Sequence, residues 1–484
     1  MASGTIQVFL AESLLLPTGL LTAAFLTRQL GPDGYGLLML TTTLVSWIGW
    51  SITSAFTRTT IKFVGETEDW QTVATTVLQL HLLLGMVAVA VIWAIAHPIA
   101  HALGEPAMAN YLRLFILEVP IFCLTYAHRS VLVGLGRFSQ RAVATAIRWI
   151  ARALLMVALV AAGLSLWGAI LGSLSAALVE LLVCRSFVHP PLMSRSRFPM
   201  QQLWGYAVPL FLLAISLRLY DKLDLLMLKL LGGTAAEAGF YGTAQNLSLI
   251  PSLFTLSFVP LLLATLTRTI SAGGLTKAKQ LSRDAMRLVL MLLPFAGLGA
   301  GAASDIIQLM FSPVFLPAAP LFAVLIFAAI AMAMIAVTTC ILTAASKPNW
   351  TIALTGPMIP VAIAAHLWMI PRFGPLGATL VTTTVASSGA LATILAVYYL
   401  WKILPPLSSL GRSLLLAGLA YGVASLWVTP GWLLGLKLLL VGLLIPSGFL
   451  VLGEFSDREL ERIQATARSA YGYFSRNHRP SQRP

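Results

Sequence analysis

The sequence predicts an all-α integral membrane protein of about fourteen transmembrane helices, built as two parallel six-helix repeats around a central cavity plus two extra helices. Three observations carry this prediction. First, the 484 residues are 58% hydrophobic and only 10% charged, with a mean hydropathy of +0.87. Soluble domains carry about 25% charged residues, so this chain must use lipid as its solvent. Second, no run alternates apolar and polar residues as membrane β-barrels do. Lipid demands that the backbone satisfy its own hydrogen bonds, which leaves helices. Third, long apolar runs alternate with short loops whose basic residues fall mostly on one side.

The apolar runs place spans at 6–27, 37–57, 74–97, 109–133, 142–163, 165–187, 202–230, 240–266, 285–303, 318–343, 350–370, 377–400, 413–428 and 433–452. Met1 to Phe9 has no basic leader and flows into the first span. With the amino terminus inside, the inner loops hold Arg58 and Lys62, Arg137 and Arg141, Arg195 and Arg197, then Arg268, Lys277, Lys279 and Arg283. Lys347, Lys402 and Arg412 follow, and the tail adds six arginines. The outer loops hold little beyond Arg28, Lys229 and Arg372. Basic residues concentrate in cytoplasmic loops, so both termini are predicted to be cytoplasmic. The net charge of +14 is spread over these loops with no continuous basic face, which argues against nucleic acid.

Short echoes recur about two hundred residues apart. Arg28-Gln29-Leu30-Gly31 leading to Tyr35-Gly36 matches Lys229-Leu230-Leu231-Gly232 leading to Tyr241-Gly242. Leu166-Trp167-Gly168-Ala169 matches Pro375-Leu376-Gly377-Ala378, and Gly136-Arg137 matches Ser346-Lys347. Six helices per unit is an even number, so the copies point the same way, as in alternating-access transporters. The expected organisation is a lobe at 1–190, a linker at 191–200 and a second lobe at 201–412. Two additional spans at 413–452 and a cytoplasmic tail at 453–484 complete it. Ser456-Asp457-Arg458-Glu459 reads as a capping box opening a short basic surface helix.

Charges at membrane depth cost several kcal/mol unless they face a cavity or a partner. On the fifth span Arg141, Thr145, Arg148 and Arg152 share one helical face. On the fourth, Glu118, Thr125 and Arg129 share another; on the seventh, Arg218, Asp221, Lys222 and Asp224 cluster. Glu12 and Glu180 stand as isolated acids. Arg137 and Arg141 read as topology determinants. Arg129, Arg148, Arg152, Arg218 and Lys222 are the candidate cavity cations for an anionic substrate, because arginine forks grip phosphate oxygens bidentately. Glu12, Glu118, Glu180, Asp221 and Asp224 are candidates for ion coupling or for pairing with those cations. The seventh-span cluster fits either a cavity role or a self-neutralising pin. Cys123, Cys184 and Cys340 lie in apolar runs without disulfide or metal-ligand spacing, so neither metal nor cofactor is expected.

Phe25-Leu26-Thr27-Arg28-Gln29-Leu30-Gly31-Pro32-Asp33-Gly34-Tyr35-Gly36 resembles the polysaccharide-exporter family, the Wzx-type O-antigen and exopolysaccharide flippases of the multidrug/oligosaccharidyl-lipid/polysaccharide superfamily. Ile61-Lys62-Phe63-Val64-Gly65-Glu66 and Tyr220-Asp221-Lys222-Leu223-Asp224 resemble later segments of that family. The resemblance implies a flippase, not an enzyme, in the bacterial inner membrane. Its substrate would be an undecaprenyl-pyrophosphate-linked oligosaccharide. Membrane lipids and polysaccharide-assembly proteins are the implied partners. A multidrug antiporter of the same superfamily is the nearest alternative, although such relatives usually have twelve spans and favour cationic drugs. A lipid II flippase shares the span count, but its signature arginines near the amino terminus are not clearly reproduced. A membrane-embedded polymerase or glycosyltransferase would need a sizeable outer loop with catalytic groups, and a scaffold would not explain charges at depth.

Overall fold

The computed structural model describes residues 2–191, 199, 222–427, 429, 431–455 and 461. Among these, nine helices are long and apolar enough to cross a membrane. Several hold more than one crossing. Helix α1 (Ala2–Ser13) runs into α2 (Leu15–Glu66). A straight helix of 52 residues would run about 78 Å, against roughly 30 Å of hydrocarbon. The break comes at Gly31, where φ is +66°, a conformation that glycine adopts without steric cost. The predicted loop at 28–36 is therefore one broken residue between two helices. Gly374, at φ +55°, breaks α16 (Met358–Trp401) in the same way. Between α6 (Phe138–Leu159) and α7 (Ser165–Phe187) a π turn carries Gly163 at φ +91°.

The remaining helices of the first lobe are α3 (Trp70–Ala102), capped by the Asp69 carboxylate accepting from the Thr72 amide, α4 (Met108–Phe115) and α5 (Glu118–Gly134). The second lobe holds α8 (222–230) and α9 (Ala235–Ser248), the latter opened by a Thr234–Glu237 capping box. Next come α10 (Ser252–Ser271), α11 (Leu275–Leu290), α12 (Leu293–Gly301), α13 (Ala303–Met310), α14 (Ala318–Ala344) and α15 (Pro348–Thr355). Lys277, Lys279 and Arg283, predicted in a loop, lie on α11. Most of the predicted seventh span, with Arg218 and Asp221, falls outside the described residues, as do nearly all of the linker and the tail helix.

The echoes in the sequence are repeated backbone turns. Gly136 and Ser346 both have positive φ, +72° and +59°, before Arg137 and Lys347. At Gly168 a Cβ would sit 2.9 Å from the Leu159 carbonyl, and at Gly377 2.5 Å from that of Met369. Each glycine lets a span pack back on the one before it.

The two lobes meet at the end of the bundle that carries Gly31. There α2 crosses α9 backbone to backbone. A Cβ on Gly36 would lie 1.8 Å from the Ala235 carbonyl oxygen, and one on Gly239 2.3 Å from that of Pro32. Such close approach through small residues is how membrane helices gain packing where no hydrophobic force drives them together. Around the crossing, Arg28 donates to the carbonyls of Leu309 (2.6 Å) and Phe311 (2.9 Å), Asn246 donates to Tyr35 Oη (2.9 Å), and Lys229 Nζ meets Glu105 at 2.8 Å.

Helices α17 (Leu407–Leu426) and α18 (Leu433–Val451) are fastened to the second lobe at both ends. Gly297 and Gly301 of α12 press against the backbone of Ala417 and Tyr421 on α17. Toward one end, Lys437, fully buried, reaches Asp305 at 2.7 Å. At the other, the Glu454 carboxylate accepts from Arg287 at 2.6 Å, from Arg412 at 2.8 Å and from the Ser409 hydroxyl. Burial alone would push the Glu454 pKa up, but these donors outweigh it and hold the carboxyl below its ordinary value. A carboxyl with a depressed folded-state pKa contributes stability above its unfolded pKa, about 4.3, and loses it as pH falls through the folded value. Glu454→Gln is therefore expected to cost about 3 kcal/mol at pH 7. The penalty, measured as the difference between wild-type and variant unfolding in detergent, is expected to shrink as the pH is lowered below about 4.

A mixed-charge cavity in the first lobe

The spacing of charges along α6 dictates a stripe, and the structure shows what the stripe faces. Gly172 of α7 has room for no side chain: a Cβ there would lie 2.6 Å from Met156 Cα on α6. This tight crossing sets α6 and α7 side by side and brings Glu180 within reach of the stripe. Glu180 is fully buried and accepts from two arginines, Arg148 Nη1 at 3.1 Å and Arg129 Nη1 at 3.5 Å. Arg129 also holds Glu12 of α1 at 2.6 Å, and Arg141 approaches the same Glu12 oxygen at 3.4 Å. Glu118, on the first turn of α5, faces Arg148 at 3.7 Å and accepts from Ser173 Oγ at 2.9 Å.

Glu12 and Glu180 are thus not isolated: each is bracketed by arginines from other helices. Arg148, which has no acid on its own face, finds two on its neighbours. Arg141, read above as a topology determinant, lines the cavity.

Glu12, Glu118, Arg141 and Arg148 border a cavity of about 660 Å³, lined chiefly by α1, α2, α5 and α6 and touched by Pro260 from the second lobe; Arg129 and Glu180 are tied to that wall through their ion pairs. Its aromatic wall was not anticipated from the sequence. Trp50, Phe122 and Tyr126 pack edge-on or tilted, with ring centroids 4.5–5.5 Å apart. The Arg148 guanidinium sits 5.1 Å from the Phe122 ring and 5.4 Å from that of Trp149, and Arg129 sits 4.8 Å from Tyr126. Guanidinium groups over aromatic faces gain cation–π stabilisation that grows with desolvation. The aromatics were missed because apolar runs hide them among core residues.

Four arginines (Arg129, Arg141, Arg148, Arg152) face three glutamates (Glu12, Glu118, Glu180), leaving one cation in excess among the described residues. Arg152 lines the cavity and makes no hydrogen bond or ion pair with any described residue. Arg141 Nε and Trp149 Nε1 are likewise buried donors without a partner among them. Chemically, the site combines surplus positive charge, free N–H donors and flat apolar walls.

The other candidates lie in the second lobe. Asp224 is buried on α8 and accepts from Tyr241 Oη (2.5 Å), Gln245 (3.3 Å) and Thr382 (3.3 Å). Lys222 Nζ donates to Gln245 at 2.8 Å. Arg218 and Asp221 are outside the described residues.

Removing the shared acid is expected to differ sharply from removing the unpaired base. Glu180→Gln leaves two buried arginines short of an anion and should destabilise the fold by about 3–5 kcal/mol. Arg152→Gln breaks no ion pair and should change stability by less than about 1 kcal/mol. Thermal unfolding of both variants in one detergent checks this; equal effects would contradict the pairing described.

A family model described as polysaccharide biosynthesis protein matches residues 1–263. No curated protein matches the chain in sequence. The structure of the lipid II flippase MurJ in its inward closed conformation aligns with a TM-score of 0.73 at 15% identity, over 95% of this chain and 100% of that one. An inward-facing multidrug resistance transporter of the MATE family, in the MOP superfamily, aligns at 0.60 and 14%, over 82% of this chain and 95% of that one. A MOP superfamily transporter from Pyrococcus furiosus aligns at 0.58 and 13%, over 82% and 94%. These likenesses establish the fold.

Proposed function

The chain belongs to the polysaccharide biosynthesis protein family, and we propose that it is a flippase for a polyprenyl-pyrophosphate-linked oligosaccharide, carrying it from the cytoplasmic to the periplasmic leaflet of a bacterial inner membrane. The observation that carries this reading is the surplus of one arginine, with free N–H donors, in a cavity otherwise neutralised by its own acids. A diphosphate supplies the missing negative charge and several acceptor oxygens, which arginine forks bind bidentately. The aromatic wall offers flat faces to sugar rings, while the lipid tail stays in the bilayer.

The lobes touch at the Gly31 end, and the cavity lies toward the opposite end. The positive-inside bias assigns that opposite end, with both termini, to the cytoplasm. This geometry fits a carrier that loads from inside. Turning outward requires breaking the Lys229–Glu105 and Arg28 contacts at the closed end and separating α2 from α9. Partners expected with this role are the lipid-linked sugar, bulk membrane lipids and polysaccharide-assembly proteins.

For coupling, Asp224 fits better than Glu12, Glu118 or Glu180. Neutralising any of those three would remove at least one ion pair from the buried arginines. Asp224 is held by hydroxyl and amide donors instead, so neutralising it breaks no ion pair with a described residue.

Reconstitution with a labelled polyprenyl-pyrophosphate sugar and a leaflet-accessibility assay tests the proposal. Arg152→Gln and Arg148→Lys, which keeps the charge but loses the fork, are each expected to slow translocation at least tenfold, a loss of about 1.4 kcal/mol or more. Asp224→Asn is expected to remove the dependence on a proton gradient. Efflux of cationic drugs with no movement of the lipid-linked sugar would turn the assignment to an antiporter.

A further inference from the structure

A second, smaller pocket of about 360 Å³ lies at the cytoplasmic end assigned above, between α11 and the turn joining α16 to α17. Arg283, Tyr398, Lys402, Leu404 and Leu407 line it. Every ionisable group of opposite sign is absent from its lining, and neither Arg283 nor Lys402 makes a hydrogen bond or ion pair with a described residue. The next arginine along the same face of α11, Arg287, is already taken by Glu454.

Lys402 ends α16 in a left-handed conformation, φ +56° and ψ +36°, which non-glycine residues rarely adopt. The turn lays its ammonium 5.2 Å from the Tyr398 ring and 5.4 Å from that of Tyr399. Tyr398, Tyr399, Leu404 and Leu407 are all exposed. Tyrosines gather where headgroups meet hydrocarbon, so this pocket sits at the membrane boundary with its charges beside an apolar rim.

We propose that this pocket binds an anionic phospholipid of the cytoplasmic leaflet, its phosphate between Arg283 and Lys402 and its acyl chains along Leu404 and Leu407. Basic pockets between membrane helices on the cytoplasmic side suit such headgroups. A soluble phosphate would gain nothing from the exposed leucines. The segment after residue 455 is a poor occupant, because it carries six arginines against three acids and would be repelled.

The test uses the full-length chain in neutral detergent, titrated with short-chain phosphatidylglycerol and followed by native mass spectrometry. Wild type is expected to retain one phosphatidylglycerol saturably and phosphatidylcholine at least tenfold more weakly. Arg283→Gln combined with Lys402→Asn, which tolerates the left-handed turn, should lower phosphatidylglycerol retention at least tenfold with an unchanged unfolding temperature. Should that variant prove misfolded, Arg283→Glu alone is expected to give the same loss. Arg152→Gln, which alters only the central cavity, should retain the lipid fully. Undiminished retention in folded pocket variants would overturn the proposal. So would loss on Arg152→Gln alone, or displacement of the lipid by inorganic phosphate at equal concentration.

Discussion

In lipid a buried charge has to be answered by another charge, and Glu180 answers two. Its carboxylate, fully buried, joins Arg129 of α5 to Arg148 of α6 from its own place on α7. The pair then spreads outward, Arg129 to Glu12 on α1 and Arg148 to Glu118 on α5. With Arg141 of α6 also on Glu12, six ionic side chains on four helices form one network, so the relative rotation of α1, α5, α6 and α7 is fixed by electrostatics as well as by packing. The cavity's shape follows, because its charged wall is this network seen from one side.

The network also decides which groups are available. A pyrophosphate meeting Arg148 competes with Glu118 and Glu180 for the same guanidinium, whereas Arg152 and the Arg141 Nε–H have no described competitor. The Arg148 fork is shared between these acids and an incoming phosphate; Arg152 contributes unspent hydrogen-bonding capacity. Helix α2 ties this wall to the closed end of the molecule. Its Gly36 packs on α9, while Gly49 and Trp50, about four turns further on, border the cavity.

Much of the fold was legible because lipid imposes simple rules. Apolar runs gave the spans, and the echoes at Gly136 and Ser346 or at Gly168 and Gly377 marked turns that need the same backbone in both halves. The site was legible only in part. Helical spacing placed Arg141, Arg148 and Arg152 on one face, since that is a property of a single helix. It could not show that Glu12, Glu118 and Glu180, from three other helices, converge on that face, because pairing across helices depends on tertiary approach through Gly172. The aromatic wall and the Glu105–Lys229 contact were invisible for the same reason. Lys277, Lys279 and Arg283 were placed in a loop because their polarity ended the apolar run, yet they form the polar face of an amphipathic helix.

The fastening of α17 and α18 sets what an observer outside the membrane could watch. Lys437 and Glu454 tie the hairpin to the second lobe at its two ends, while Glu12 and Gln7 tie α1 to the first through Arg129 and Ser139. The extreme helices of the chain are therefore rigid passengers of opposite lobes. A donor fluorophore on α1 and an acceptor near Gly453 would report the angle between the lobes directly. Energy transfer between them would then follow the carrier through its cycle.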